Sequence, residues 1–360
     1  MLKKKKIGIV TLYDNDNYGN RLQNYATYHY LTKMGYNVET IIIDYDIKSR
    51  LKRIVRESFV SNLLYGFTSS KLNHKRIYRF SKFTNKYIPS KYYLNKKNLD
   101  KKYDYFCIGS DQVWNPSFNL DLELMCLNFT NKTKKICMSP SFGVSKLEND
   151  KISLYEKYLS KFNNFSVRED SGKDIIKNII PTAKVEVLID PTMLLNSNEW
   201  DKLAKKPAQL NFERYILNYF IGNLSDSRKK EIKKIAKENN CKIINILDKN
   251  DPFYTCDPSE FLYLEKHAFL ICTDSFHSSV FSILFNRPFV VFDREDKLVK
   301  MNSRIDTLLN KFNLKNRRFE GSITNDNLNH DYQEAYRLLE KERSKYLKFL
   351  NISMGKKNEN

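Results

Sequence analysis

Four short polar stretches carry the residue types that could bind and transform a small polar ligand. Each of them includes or directly follows an apolar run that predicts a buried parallel strand. The four stretches are DNDNYGNRLQNYA (14–26), IGSDQVWNP (108–116), FSVREDSG (165–172) and ICTDSFHSSVFSILF (271–285). Because ligands of open parallel sheets bind beyond the carboxyl ends of the strands, these stretches are predicted to line binding sites.

The first stretch supplies neutral hydrogen-bonding groups at the predicted N-terminus of a helix. Gly19 lets the backbone approach a ligand closely, and the unpaired amides of a helix N-terminus favour an anion or a sugar hydroxyl. Asn17, Asn20 and Gln23 add donors and acceptors that suit a polyhydroxyl partner. The alternative is an Asn-rich turn that only caps the helix. The stretch matches neither G-x-G-x-x-G nor the P-loop, so it does not predict a nucleotide.

The second stretch combines polar side chains with an aromatic ring. Ser110, Asp111 and Gln112 leave a predicted strand together, and Trp114 follows them. Polar groups beside an aromatic face suit a carbohydrate, whose C–H face stacks on rings. The alternative is a structural turn capped by Asp111.

The third stretch places Arg168 at the end of a predicted strand, directly before two acidic residues. A guanidinium can hold a carboxylate or a phosphate with two parallel hydrogen bonds. Arg168 is therefore a candidate anion-binding residue. The alternative is a local salt bridge with Glu169 or Asp170.

The fourth stretch contains His277, one of five histidines in the chain. An apolar strand precedes it and an apolar helix follows, so His277 is predicted in the first turn of a helix at the carboxyl end of a strand. A histidine in that position can act as an acid or a base near neutral pH. The alternative is a structural histidine whose hydrogen bonds are satisfied within the fold. No H-E-x-x-H motif and no Cys/His cluster occurs, so the sequence predicts no dedicated metal site.

Two sets of alternating strands and helices are needed to position these stretches. The chain of 360 residues has room for two domains. The alternation predicts an α/β fold of two doubly wound Rossmann-like domains facing across a cleft. The predicted ranges are residues 1–178 for the N-terminal domain, 179–330 for the C-terminal domain, and 331–360 for a closing helix and tail.

The positive charge of the chain is unevenly distributed. The net charge is +20, and residues 48–102 contain sixteen Lys or Arg residues against two acids. Within this segment, IKSRLKRIVRESFVSNLL (47–64) has apolar residues at helical spacing, which predicts a basic amphipathic helix. Such a helix could bind an anionic membrane surface or lie near an anionic substrate; alternatively, it packs on its own domain. No nucleic-acid motif accompanies the charge, so no nucleic-acid partner is predicted.

The chain shows no signal peptide and no apolar run of eighteen residues, so a cytoplasmic protein is predicted. Its six cysteines are scattered and form no C-x-x-C, which predicts buried free thiols.

Six pieces of the sequence, taken in order, resemble the polysaccharide pyruvyl transferase family. They run from about residue 7 to about residue 310 and so cover most of the chain. The matching pieces are NYGNRLQNYA, IGSDQVWNP, FSVREDSG, VLIDPTMLL, TDSFHSSVFSILFNRPFVVF and SRIDTLL. The resemblance implies a fold similar to GT-B glycosyltransferases. It also implies transfer of pyruvate from phosphoenolpyruvate, as donor substrate, to two hydroxyls of a sugar, with no bound cofactor.

The resemblance assigns the N-terminal half to the acceptor and the C-terminal half to the donor. It places the family's donor-binding arginine on Arg168 and its functional histidine on His277. In well-studied branches this histidine is the third residue of R-L-H-G, and here Ser275 occupies the arginine position. Because phosphoenolpyruvate carries two anionic groups, Arg294 or Arg304 is expected to supply the missing cation. Ser278 and Ser279 are expected to add donors at the helix N-terminus.

The acceptor is predicted to be a surface polysaccharide or its lipid-linked precursor, reached from the inner face of the membrane. The oligomeric state is not predicted. Two other functions fit the same sequence. One is a GT-B glycosyltransferase that uses a nucleotide sugar, and the other is a non-catalytic polysaccharide-binding protein.

Overall fold

The computed structural model describes residues 4–45, 47–57, 71–295, 303–329 and 331–356. The chain divides into two compact units. Unit 1 comprises residues 1–54, 84–194 and 340–360, and unit 2 comprises residues 55–83 and 195–339.

Unit 1 is built on a parallel sheet. Its five strands are β1 (Lys6–Val10), β2 (Asn37–Ile43), β3 (Ser90–Tyr93), β4 (Tyr105–Ile108) and β5 (Lys135–Cys137). Their order is β3-β2-β1-β4-β5, with Ile7 of the central strand opposite Val38 on one side and Tyr105 on the other. This is the order of a Rossmann half, in which the chain changes direction between β1 and β4. The side chains of Ile7 and Ile9 have no exposed surface, as expected for a strand covered on both faces.

A second, two-stranded parallel sheet belongs to unit 1. It consists of β6 (Phe165–Val167) and β7 (Val185–Val187). The backbone amide of Arg168, directly after β6, donates to the carbonyl of Pro140, which follows β5. The exit of β6 therefore lies beside the exit of β5.

Unit 2 has a four-stranded parallel sheet. Its strands are β8 (Tyr215–Tyr219), β9 (Lys242–Asn245), β10 (Leu270–Thr273) and β11 (Phe289–Val291). The order β11-β10-β8-β9 is that of a flavodoxin-like sheet, with the change of direction between β8 and β10. The predicted α/β class with Rossmann-like parallel sheets is confirmed.

The helices of the described residues connect these strands. In chain order they are α1 (Tyr18–Lys33), α2 (Ile47–Glu57), α3 (Lys71–Tyr87), α4 (Leu122–Met125), α5 (Asn149–Leu159), α6 (Asp170–Ile179), α7 (Ser197–Asp201), α8 (Asp226–Glu238), α9 (Pro258–His267), α10 (Phe276–Leu284), α11 (Ser303–Lys311), α12 (Asn325–Leu328) and α13 (Gln333–Ser353). The local sequence determines where these helices begin. For example, Asp257 and Glu260 form a capping box around Pro258 at the first turn of α9. None of the described helices is long and apolar enough to cross a bilayer.

The boundaries of the two units differ from the predicted domains. Residues 55–83 cluster with unit 2, although they lie in the predicted N-terminal domain. Residues 179–194 cluster with unit 1, because β7 pairs with β6 instead of beginning the second sheet. Strand β3 was not predicted, and residues 58–64 of the predicted amphipathic helix lie outside the described residues.

The end of the chain also belongs to unit 1. Residues 340–360 cluster there, because Tyr346 of α13 is fully buried with its hydroxyl 3.2 Å from Ser139 Oγ. Lys345 Nζ adds a contact of 2.9 Å to the Glu186 carboxylate of β7. All six cysteines are free thiols, and five of them are buried, as predicted.

Candidate active site

Two of the predicted polar stretches meet at the exits of β1 and β4 in unit 1. Asn17 caps α1 by accepting from the amide of Asn20 at 3.1 Å. The Asn20 side-chain amide donates to Asp111 Oδ2, 3.3 Å away, just beyond β4. Because these exits mark the change of chain direction in the sheet, this is where a doubly wound fold binds ligands.

The buried members of this group hold the loops in place. Gln23 has no exposed surface, and its amide donates to Thr11 Oγ1 at 2.8 Å. Thr11 in turn donates to the carbonyl of Ser110 at 3.2 Å. Asn20 and Ser110 are also buried, whereas Asn17 and Gln112 retain partial exposure. Gln23 and Ser110 are therefore linked through Thr11 by hydrogen bonds within the fold, and their predicted contacts with an acceptor stay a prediction.

Trp114 differs most from the prediction of a stacking platform. Its ring has no exposed surface and lies 5.4 Å from the Phe142 ring, and its Nε1 donates to the carbonyl of Met125 at 3.0 Å. An indole packed on its faces and bonded at its only donor belongs to the core. The prediction that Trp114 binds a sugar is wrong.

Arg168 lies in a buried network of charges. Its Nη1 donates to Asp190 Oδ2 at 2.8 Å, and Nη2 lies 3.7 Å from Asp111 Oδ1. Ser110 Oγ donates to the same Asp190 oxygen at 2.7 Å, and Thr192 donates to the other oxygen through its amide and its hydroxyl. Burial alone would lower the pKa of Arg168, but Asp190 and Asp111 raise it above its usual value, so the guanidinium is always charged.

This geometry changes the role assigned to Arg168. Its side chain is 1% exposed, and the partner carboxylates are Asp190 and Asp111 instead of its chain neighbours. The predicted direct hold on a donor is replaced by a positioning role, in which Arg168 and Asp190 fix the loop after β4. Asp190 carries this role in IDPT, a piece whose only distinction in the sequence was an acid after an apolar run.

In unit 2, Asp274 organises the exits of β8 and β10. Its two carboxylate oxygens accept from the amides of Ile221 and Gly222, each at 2.7 Å. Arg294, beyond β11, adds a contact from Nε to Asp274 Oδ2 at 3.1 Å. The Asp274 carboxylate thus connects the exits of β8, β10 and β11. It contacts the Nε edge of the Arg294 guanidinium. Asp274 was missed as a site residue, although it lies inside the quoted fourth stretch.

His277 lies in the first turn of α10, at the carboxyl end of β10, as predicted. It is 6% exposed, and its ring meets that of Phe276 edge to face at 5.3 Å. Ser275 is the N-cap residue of α10, and its side chain makes no capping hydrogen bond. Arg304, in the first turn of α11, is also largely buried.

The two serines after His277 serve the fold. Ser278 Oγ donates to Glu265 Oε1 of α9 at 2.6 Å, and Ser279 Oγ donates to the carbonyl of Ser275 at 3.0 Å. Both serines have no exposed surface. Their hydroxyls therefore hold α10, and the contribution of amide donors from this helix N-terminus to the donor site stays a prediction.

Two further residues of unit 2 lie near Ser275. Burial raises the pKa of Tyr219, the last residue of β8, while the charge of Arg76 and a hydrogen bond with Ser275 act in the opposite direction. Arg76 of α3 is 3% exposed and donates to the carbonyl of Tyr254 at 2.5 Å. The charge of Arg76 thus acts on Tyr219, which is hydrogen-bonded to Ser275, the position where the related motif has arginine. No local pattern indicates this interaction, since Arg76 lies in the basic segment 48–102 and not in one of the four polar stretches.

Two α/β units with polar residues at each change of chain direction define a doubly wound protein with ligand sites at the sheet edges. The chain belongs to the polysaccharide pyruvyl transferase family, whose sequence profile matches residues 17–296. The matched region contains both polar groups described above, and family membership makes the protein a transferase. No curated protein sequence matches the chain.

Solved structures with similar architecture were also found. A glycosyltransferase from Rickettsia africae is 11% identical with a TM-score of 0.43, covering 96% of this chain and 99% of that one. A UDP-GlcNAc 2-epimerase from Neisseria meningitidis is 12% identical with a TM-score of 0.42, covering 96% and 94%. The fold assignment rests on the strand orders of this chain, and the predicted cleft between two domains stays a prediction.

Proposed function

We propose that the protein transfers pyruvate from phosphoenolpyruvate to two hydroxyls of a saccharide, forming a cyclic ketal and releasing phosphate. The observation that carries the proposal is His277, placed in the first turn of α10 next to the β8 and β10 exits, inside the region that matches the family. A histidine in this position can transfer protons at neutral pH.

The proposed reaction requires two C–O bonds to form and one to break. The central carbon of the donor gains two acceptor oxygens and loses its bond to the phosphate oxygen. Of the two protons released by the acceptor hydroxyls, one goes to the donor methylene, which becomes a methyl group, and the other leaves with phosphate. His277 would accept the hydroxyl proton or protonate the methylene.

The donor carries a carboxylate and a phosphate and therefore needs more than one cation. Arg294 and Arg304 of unit 2 remain candidates, and Arg76 joins them because its charge acts on Tyr219, the hydrogen-bond partner of Ser275. Arg294 already contacts Asp274 through its Nε.

The acceptor is proposed to bind at the exits of β1 and β4. Asn17, Asp111 and Gln112 supply the groups there that suit sugar hydroxyls, and Arg168 and Asp190 hold the loop that carries two of them. We propose a lipid-linked acceptor because α2 presents an exposed apolar face within a basic segment. The exposed fractions on that face are 66% for Ile47, 56% for Leu51 and 45% for Ile54.

The direct test incubates the protein with phosphoenolpyruvate and a panel of saccharide acceptors. Phosphate release together with an acceptor mass gain of one pyruvate less one water would support the proposal. Release of a nucleotide from nucleotide sugars would instead indicate a glycosyltransferase. Glycan binding without turnover across the panel would indicate a non-catalytic polysaccharide-binding protein.

A further inference from the structure

A cavity of about 700 Å³ opens at the carboxyl edge of the unit 2 sheet, beyond β8 and β9. Its volume lies in the range that holds a small ligand. The floor is formed by Asn218 of β8 and Asn245 of β9, the walls include Phe220 and Leu224, and the first two turns of α8 form one side. None of these residues has a role in the pyruvyl transfer site.

The floor of the cavity offers one donor and one acceptor. Asn218 Nδ2 donates to Asn245 Oδ1 at 2.9 Å. Asn218 is 7% exposed, and its Oδ1 has no hydrogen-bond partner among the described residues. If both amides were flipped, the pair would still present one donor and one acceptor, so this property does not depend on the amide assignment. A buried amide oxygen without a partner costs free energy unless a ligand or water satisfies it.

The charged residues that line the cavity are two lysines, Lys229 and Lys233, and one acid, Asp248, so the lining has an excess of positive charge. Lys229 and Lys233 lie four residues apart on α8 and so project from the same face. Lys229 Nζ forms an ion pair with Asp226 Oδ1 at 3.3 Å. Phe220 and Leu224 supply the apolar surface on which a sugar ring or another flat group can pack.

The cavity lies close to the strand exits that carry His277. Gly222 lines the cavity and donates to Asp274, three residues before His277. β8 lies between β9 and β10, so the exits of β9 and β10 are two strand spacings apart, about 10 Å.

We infer that this cavity binds a phosphorylated saccharide, with the two amides on its hydroxyl or amide groups and the two lysines on its phosphate. The inference rests on the proposed function, in which this ligand is the phosphate-bearing part of the acceptor. A nucleoside diphosphate shares the phosphate but presents a base in place of sugar hydroxyls, so the test must separate the two.

The test is isothermal titration of the full chain at low salt, without phosphoenolpyruvate. The probes are N-acetylglucosamine 1-phosphate, N-acetylglucosamine, inorganic phosphate and uridine diphosphate. The sugar phosphate is expected to bind at least about tenfold more tightly than the neutral sugar or phosphate alone, because only it engages both the floor and the two lysines. The Lys229→Ala/Lys233→Ala variant should weaken it by about tenfold, whereas Lys230→Ala/Lys237→Ala, with the same charge change on α8 outside the cavity, should stay within about twofold.

Asn218→Leu tests the floor, with thermal unfolding to show that the variant is folded. Loss of sugar-phosphate binding in this variant supports the inference. Absence of binding by every probe, equal binding by both lysine double variants, or tighter binding of uridine diphosphate than of the sugar phosphate would each overturn it. Because these titrations contain no donor, their failure is separate from failure of pyruvyl transfer, which is read from phosphate release.

Discussion

The Ser278 hydroxyl donates to Glu265 Oε1 at 2.6 Å, and neither side chain has any exposed surface. Burial raises the pKa of Glu265 well above its usual value, while the hydrogen bond from Ser278 lowers it by less. Burial thus favours the protonated, neutral form of Glu265 over the carboxylate. It anchors the first turn of α10, the turn that carries His277.

Replacing Glu265 with Gln should preserve the fold, because Gln keeps the acceptor and the volume of the neutral acid. The two proteins should differ in the pH dependence of unfolding. An acid with a raised folded pKa contributes stability that is complete below its unfolded pKa of 4.5 and is lost as pH rises through the folded value. Wild type should thus lose stability relative to Glu265→Gln as pH rises above about 4.5. Urea unfolding from pH 4.5 upward measures this difference in the free energy of unfolding. The control is Glu238→Gln at an exposed position, whose stability should change with pH in parallel with that of wild type.

The sequence was most informative where local chemistry coincides with strand ends. The apolar runs at the four polar stretches coincide with β1, β4, β6 and β10, and the polar residues beyond β1 and β4 meet at one sheet edge. Strand β3 was not predicted, because its SKYY carries no continuous apolar run. β3 lies at the edge of its sheet, where less of the strand is covered.

Which polar residues face solvent could not be predicted, because burial depends on contacts between distant parts of the chain. Trp114 was expected to stack on a sugar but packs against Phe142. Arg168 was expected to bind the donor, but its partner Asp190 lies 22 residues further along the chain. Neither contact has a local pattern that the sequence displays.

Breaking the buried pair of Arg168 and Asp190 should destabilise the protein strongly. Arg168→Met leaves two carboxylates buried without their cation, at an expected cost of about 3 kcal/mol or more in the free energy of unfolding. The double variant Arg168→Met/Asp190→Asn should cost less than the sum of the two single variants, since it removes both charges. Denaturant unfolding of all four proteins measures the coupling. Additive effects would show that the pair does not hold the loop after β4.

Lys135 should make stability rise at alkaline pH. Its Nζ is bonded to the Cys126 carbonyl at 3.0 Å and to Asn128 at 2.7 Å, and burial lowers the pKa to about 8 from 10.5. Between these values the unfolded chain binds more protons than the folded protein, so stability increases with pH. Relative to Lys135→Met, wild type should gain stability from pH 8 to 10.5. Thermal unfolding across this pH range tests the prediction. The control is Lys173→Met at an exposed position, whose stability should follow that of wild type. A difference in stability between wild type and Lys135→Met that does not change with pH would contradict the lowered pKa of Lys135.

Helix α2 should bring the protein to anionic vesicles. Replacing Ile47 and Leu51 with Gln removes exposed apolar surface without changing charge, and co-sedimentation with phosphatidylglycerol vesicles at low salt should fall by about tenfold. Binding of wild type should weaken as salt rises. Ile152→Gln/Leu154→Gln on α5 removes two comparably exposed apolar side chains elsewhere and should leave binding unchanged. Equal binding to anionic and neutral vesicles would exclude electrostatic docking.

His277→Ala should abolish turnover without unfolding the protein. Loss of a general acid or base costs about 10²- to 10⁴-fold in rate. The side chain is largely buried, so thermal unfolding must accompany the assay of phosphate release from phosphoenolpyruvate. His267→Ala on α9 is the matched control, because His267 stacks on Tyr263 at the far end of that helix and should retain activity. Full activity in a folded His277→Ala protein would remove His277 from the reaction, and the proton transfers would then have to be assigned to another group.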